Sequence, residues 1–186
     1  SNGAKHSIHN ALLTLVGPGD EVIIPTPFWV SYSDLVSMTG ATPVLIPCSM
    51  EADFKVSAAQ IKKAITPKTK LLLINSPSNP TGAVYTHAEL EAIADLVLEA
   101  NIGVISDEIY EQLVYGDAKA TCFATLREGL KAKTITISGV SKTYAMTGWR
   151  IGWAIAPEAV VKAMANIQSQ ETSNPCSVSQ AAAIAA

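Results

Sequence analysis

The sequence predicts an α/β fold, a three-layer sandwich in which one mostly parallel sheet carries helices on both faces. Three observations lead there. Short apolar runs rich in β-branched residues, at 21–25, 42–47, 71–75, 102–106, 134–137 and 151–156, have the length and composition of buried strands. Most of the segments between them repeat apolar residues at helical spacing, and such alternation is the pattern of parallel strands joined by crossover helices. With 186 residues, 48% hydrophobic and 16% charged, the chain can bury one substantial core, and it has no internal repeats or low-complexity linkers.

The first helical pattern covers 3–16, carried by Ile8, Leu12, Leu13 and Leu15 and ended by Gly17-Pro18-Gly19. Asn2-Gly3-Ala4-Lys5 then lies at a helix N-terminus, where free N–H groups and the dipole suit a phosphate. Equally, Asn2 reads as a plain N-cap and Lys5 as a solvated first-turn residue. After the strand at 21–25, Thr26-Pro27-Phe28-Trp29 turns into a helix running to about Met38. Trp29 stands at a strand's C-terminal end, where open α/β sheets bind ligands, although a core tryptophan fits the pattern too.

Ser57 caps a helix over 57–65, which Thr66-Pro67 stops. The strand at 71–75 runs into Ser76-Pro77-Ser78-Asn79-Pro80-Thr81-Gly82, whose two prolines stiffen the backbone before Gly82 releases it. Such a loop can aim Asn79 at a ligand or leave it bonded to its own backbone. Over 86–100, Leu90, Ile93, Ala94, Val97 and Leu98 share one face, with Glu89, Glu91 and Asp95 outside.

The strand at 102–106 delivers Asp107 and Tyr110, with Glu108 expected to face solvent or a structural partner. Adjacent carboxylates at a strand end also suit magnesium, as in a phosphohydrolase, but no glycine-rich Gly-Lys-Ser/Thr loop accompanies them. Residues 117–133 read as a polar connection with a short helix. Pro157 starts a helix with Val160, Val161, Met164 and Ile167 on its buried side, Ser173-Asn174-Pro175 breaks it, and a last helix begins at Ser177.

Between the strands at 134–137 and 151–156, one lysine and one arginine stand in a loop that is otherwise small and neutral. A lysine held in an apolar setting near a second cation loses proton affinity and becomes an amine able to attack a carbonyl. Lys142 is therefore a candidate nucleophile, and Arg150 offers a planar fork for a phosphate or carboxylate, with Gly148 and Gly152 allowing close backbone approach. Taken alone, the stretch supports ordinary loop charges equally well.

A net charge of −3 with scattered Lys and Arg argues against nucleic acid as a partner. No apolar run approaches the roughly 20 residues of a bilayer span, and no basic-then-apolar leader opens the chain, so the expected location is cytoplasmic. Cys48, Cys122 and Cys176 lack the paired spacing of a zinc site and read as reduced thiols, and no metal is expected.

The run Ser141-Lys142-Thr143-Tyr144-Ala145-Met146-Thr147-Gly148-Trp149-Arg150-Ile151-Gly152 resembles the lysine motif of fold-type-I pyridoxal-phosphate aminotransferases. Asn2-Gly3-Ala4-Lys5, Pro27-Phe28-Trp29, the Asn75 to Gly82 segment and Ser106-Asp107-Glu108-Ile109-Tyr110 extend the likeness across the whole chain, in the order of the aspartate aminotransferase branch. It is most similar to the bacterial and plastid aspartate/prephenate aminotransferases.

The resemblance implies that residues 1–186 are the cofactor-binding large domain, without the family's preceding arm and following smaller domain, of an enzyme that works as a homodimer. It implies that Lys142 forms the Schiff base with pyridoxal 5'-phosphate and serves as the base, and that Asp107 pairs with the ring nitrogen. By the same resemblance Asn79 and Tyr110 hold the phenolate oxygen and Trp29 stacks on the ring, with Trp29 and Asn79 also meeting substrate. Gly3, Ala4, Lys5, Arg150 and a serine would grip the phosphate. Many relatives place that serine where this chain has Gly139, leaving Ser138 or Ser141 for the contact. The implied reaction moves an amino group from an aspartate-like amino acid to a 2-oxo acid such as 2-oxoglutarate. A β-eliminating lyase, an aromatic aminotransferase and a cofactor-binding piece without turnover are the alternatives. The family's arginine for the substrate carboxylate and its tyrosine from the neighbouring subunit lie outside these residues, so turnover is expected of the longer protein.

Overall fold

Six strands build the sheet: β1 (Glu21–Thr26), β2 (Thr42–Pro47), β3 (Thr69–Asn75), β4 (Gly103–Asp107), β5 (Thr134–Gly139) and β6 (Gly152–Ile155). The computed structural model describes residues 1–186. Its helices are α1 (Ala4–Leu15), α2 (Ser31–Met38), α3 (Ala58–Ala64), α4 (His87–Ala100), the single turn α5 (Val140–Thr143), α6 (Glu158–Glu171) and α7 (Ser177–Ala185). The sheet order is β2-β1-β3-β4-β5-β6. All neighbours are parallel except β5 and β6, which run antiparallel.

Parallel strands are covered on both faces, and the two hydrophobic clusters follow the two sides of the pleat. Val22, Ile24, Leu71, Leu73, Ile105, Ile135 and Ile137 face α1, α2 and Met164 of α6. Ile23, Leu72, Ile74 and Val104 face α3, α4 and the segment holding Phe123, Leu126 and Leu130. Each such aliphatic side chain, once fully buried, contributes about 1.5–3 kcal/mol, so the alternation along each strand pins its register. Capping boxes start α3, from Ser57 with Gln60, and α4, from Thr86 with Glu89. The left-handed Asn101 ends α4.

The three-layer architecture, with one mixed, mostly parallel sheet, agrees with the sequence expectation. Two details differ. The 117–133 connection contains two single 3-10 turns, Phe123–Thr125 and Leu130–Ala132, in place of one helix. On α6 only Met164 is buried, while Val161 is 41% exposed, because the helix docks on α1 beside the sheet and offers it a narrow stripe. No helix is long and apolar enough to cross a membrane.

After β1 the chain visits β2 on one side and then places β3 on the other. That reversal opens a crevice beyond the C-terminal ends of β1 and β3, the position at which doubly wound sheets bind ligands.

Candidate active site

A cavity of about 290 Å³ occupies the crevice. Trp29 enters it from the loop after β1, Asn75 from the end of β3, Asp107 from the end of β4, and Lys142 from α5 directly after β5. Strand register sets two of these positions, since Asn75 pairs with Asp107 and Asp107 with Ile137. Lys142 and Asp107 therefore line one hollow, from separate strand ends.

Asp107 is 3% exposed, and its carboxylate accepts from the Tyr32 hydroxyl at Oδ2, 2.6 Å, and from the Ile109 N–H at Oδ1, 3.2 Å. Burial raises its pKa from 3.8 to about 6, against the downward pull of those two donors. The Asn75 side chain organises the neighbouring loop. Its Nδ2 donates to the Asp107 carbonyl at 2.8 Å, and its Oδ1 accepts from the Asn79 N–H at 2.8 Å. Asn79 in turn reaches the Tyr110 hydroxyl with Nδ2, 3.5 Å away, and the Lys142 Nζ lies 5.5 Å from the Tyr110 ring centroid.

Three cations also line the cavity. Gly3 is the N-cap of α1 and no side chain caps the helix, so Asn2 does not take up its first N–H groups. Arg150, in a left-handed conformation, donates to the Thr147 carbonyl at 2.7 Å and to the Asn2 carbonyl at 3.3 Å, which sets its guanidinium beside that helix start. Glycines make the approach feasible. A Cβ on Gly3, whose φ is +92°, would lie 2.8 Å from Arg150 Cζ, and one on Gly152 would lie 2.5 Å from the Gly3 carbonyl carbon. Lys5 places its Nζ 4.7 Å from the Trp29 ring centroid, and Trp29 meets the Tyr32 ring edge-on. Lys5, Lys142 and Arg150 thus share the cavity with Asp107, and the charge balance suits an anionic ligand.

The cavity gathers Ala4, Lys5, Trp29, Asn79, Asp107, Tyr110, Ser141, Lys142 and Arg150, with Gly3 behind Arg150. Ser138 does not join them. Its hydroxyl donates to Glu111 Oε1 at 3.1 Å, so of the two candidate serines only Ser141 can meet a ligand here. Glu108 takes the second of its two expected places, against a structural partner: at 4% exposure it accepts from Ser106 Oγ at 2.8 Å and from the Phe123 N–H at 3.0 Å, and it does not line the cavity. Asp107 and Glu108 therefore do not form a carboxylate pair. Sequence reasoning assigned no role to Tyr32 or Asn75. The signal for Tyr32 was its place three residues after Trp29, in the first turn of the helix that follows, and for Asn75 a polar residue ending an apolar strand.

The family model described as aminotransferase class I and II matches residues 1–186. The chain belongs to the class I and II aminotransferases. Among members of that family, it is 50% identical over 184 residues to the aspartate aminotransferase of Geobacillus stearothermophilus, covering 99% of this chain and 47% of that protein. It is likewise 50% identical over 185 residues to the aspartate/prephenate aminotransferase of Cereibacter sphaeroides, covering 99% and 46%. The crystal structure of the aspartate aminotransferase from Rhizobium meliloti superposes with a TM-score of 0.97 at 47% identity, over 99% of this chain and 46% of that one. The chain thus spans about half the length of the aminotransferases it matches.

Proposed function

We propose that these residues form the cofactor-holding domain of a pyridoxal-phosphate-dependent aminotransferase, one that takes an amino group from aspartate or a similar amino acid and gives it to a 2-oxo acid such as 2-oxoglutarate. The observation that carries this reading is the pair Lys142 and Asp107, an amine and a buried carboxylate lining one cavity whose remaining charge is cationic. The donor set fits the cofactor. Asp107 keeps acceptor capacity on both oxygens for a ring N–H, and Asn79 and Tyr110 offer donors for a phenolate. The open α1 start, Lys5, Ser141 and Arg150 suit a phosphate, and the missing Cβ atoms of Gly3 and Gly152 let the Arg150 guanidinium and the first peptide of α1 pack together.

When bound, pyridoxal phosphate supplies an aldehyde that condenses with amines and a ring that takes up negative charge. The chain's residues hold and direct it. Lys142 would provide the amine that holds the cofactor and, once free, a base able to take up and give back a proton at its Nζ, and Asp107 would stabilise positive charge on the ring nitrogen. Trp29 would shield the ring from water, and Lys5, Ser141, Arg150 and the α1 start would anchor the phosphate without reacting. The relatives the chain matches are roughly twice as long as these residues; in this reading the remaining substrate contacts come from the rest of a longer chain and from a second copy of it in a homodimer.

Reduction with borohydride in the presence of pyridoxal phosphate, followed by peptide mass mapping, tests the reading. The label is expected on Lys142 and lost in Lys142→Ala; labelling elsewhere, or none, overturns it. With the full-length protein, aspartate and 2-oxoglutarate should yield oxaloacetate and glutamate, whereas pyruvate and ammonia would mark a β-eliminating lyase instead.

A further inference from the structure

One side chain between Trp29 and Asp107 has both its ring and its hydroxyl engaged. Tyr32 projects from α2 and is 2% exposed. Its hydroxyl donates to Asp107 Oδ2 at 2.6 Å, and its ring meets Trp29 edge-on, with centroids 5.5 Å apart and planes at 89°. Phe28 stacks on it, with centroids 6.4 Å apart. A tyrosine held this way cannot swing without disturbing both neighbours. With the Ile109 N–H on Oδ1, its hydroxyl fixes the plane of the Asp107 carboxylate.

We propose that Tyr32 is the positioning residue of this site: its hydroxyl keeps the Asp107 carboxylate ionised and directed at the ring nitrogen of bound pyridoxal phosphate, while its ring sets the plane of Trp29. The proposal rests on the cofactor reading above. Lys5 from α1, Tyr110 after β4, Lys142 on α5 and Arg150 before β6 share the cavity with Asp107, yet Tyr32 is the side chain that hydrogen-bonds its carboxylate. Burial pushes Asp107 toward its neutral form, and the bond from Tyr32 is the largest influence in the other direction. A neutral acid cannot balance a cationic ring, so one hydroxyl governs whether Asp107 does its work.

Tyr32→Phe keeps the ring and removes the hydroxyl. In cofactor-free protein, carbon-13 NMR of the aspartate carboxyls, with the Asp107 signal identified by its loss in Asp107→Asn, is expected to show Asp107 binding its proton about tenfold more tightly than in the wild type. An unchanged midpoint overturns the proposal. In cofactor-loaded protein the pH at which the ring proton is lost, read by absorbance, falls in Tyr32→Phe; no change there overturns the directing role. A downfield hydroxyl proton resonance in the unsubstituted protein, lost in Asp107→Asn, reads the same hydrogen bond without altering Tyr32, and its absence counts against the proposal even if Tyr32→Phe fails to fold. Wild-type protein that takes up no pyridoxal phosphate overturns the cofactor reading and the directing role with it, while the cofactor-free titration separately decides whether Tyr32 controls Asp107 ionisation.

Discussion

Asn75 and Asp107 are register partners on β3 and β4, and the Asn75 amide donates across that pair to the Asp107 carbonyl at 2.8 Å while its oxygen receives the Asn79 N–H at 2.8 Å. One side chain therefore ties the end of the acid-bearing strand to the loop that carries Asn79. Asn75→Leu, similar in size, leaves the Asp107 carbonyl and the Asn79 N–H unmet. The expected cost is about 2 kcal/mol, a fall in Tm of about 4–8 °C, with weaker pyridoxal phosphate uptake; an unchanged melting curve would contradict it.

Asp107 makes stability depend on pH. Because burial raises its pKa from 3.8 to about 6, the folded chain holds a proton that the unfolded chain has already released in that window. Stability is therefore expected to fall as pH rises through the window and to level off above it, by an amount on the order of 3 kcal/mol from this group. Urea unfolding of cofactor-free wild type and Asp107→Asn at several pH values checks this. The wild type should lose stability relative to the variant across the window, and parallel curves would refute the assignment.

Gly152 lies against the first peptide of α1, so Gly152→Ala must push the helix start away from Arg150. A Cβ there would lie 3.0 Å from the Ala4 Cα, with backbone as the obstacle. The expected loss is about 1–3 kcal/mol together with reduced affinity for inorganic phosphate. Gly17→Ala, where a Cβ would meet nothing within 4 Å, is the control and should change stability by no more than about 1 kcal/mol.

Arg150→Lys keeps the charge but not the planar fork that now spans the Thr147 and Asn2 carbonyls. Phosphate and pyridoxal phosphate affinity should fall about tenfold with little change in Tm. Equal affinity in the two proteins would show that charge alone suffices.

Glu108→Ala leaves the Phe123 N–H and the Ser106 hydroxyl without their acceptor. Destabilisation of about 2 kcal/mol is expected, with pyridoxal phosphate still taken up once the protein is folded. Loss of uptake in folded Glu108→Ala would contradict its purely structural role.

What the sequence by itself determined is the layered sheet, the order of its elements and most of the residues around the cavity. Strand and helix periodicities are local, so apolar runs such as 71–75 and the spaced face of 86–100 declare themselves without their partners. The segments holding Lys142, Asp107 and Asn79 stood out as polar stretches at strand ends, but their own chemistry left ordinary loop roles open, and their roles came from the resemblance of five such segments in order to one family. Only the tertiary structure decided which side chains meet. Ser138 and Ser141 are near neighbours in the chain, yet Ser138 bonds Glu111 and Ser141 lines the cavity. Glu108 adjoins Asp107 and serves a different buried network. Tyr32 reaches Asp107 across 75 residues of sequence, because helix α2 is laid over the sheet by burial of Leu35 and Val36. Hydrogen bonds of that kind depend on how layers pack, and packing is a property of the whole chain that no local pattern encodes.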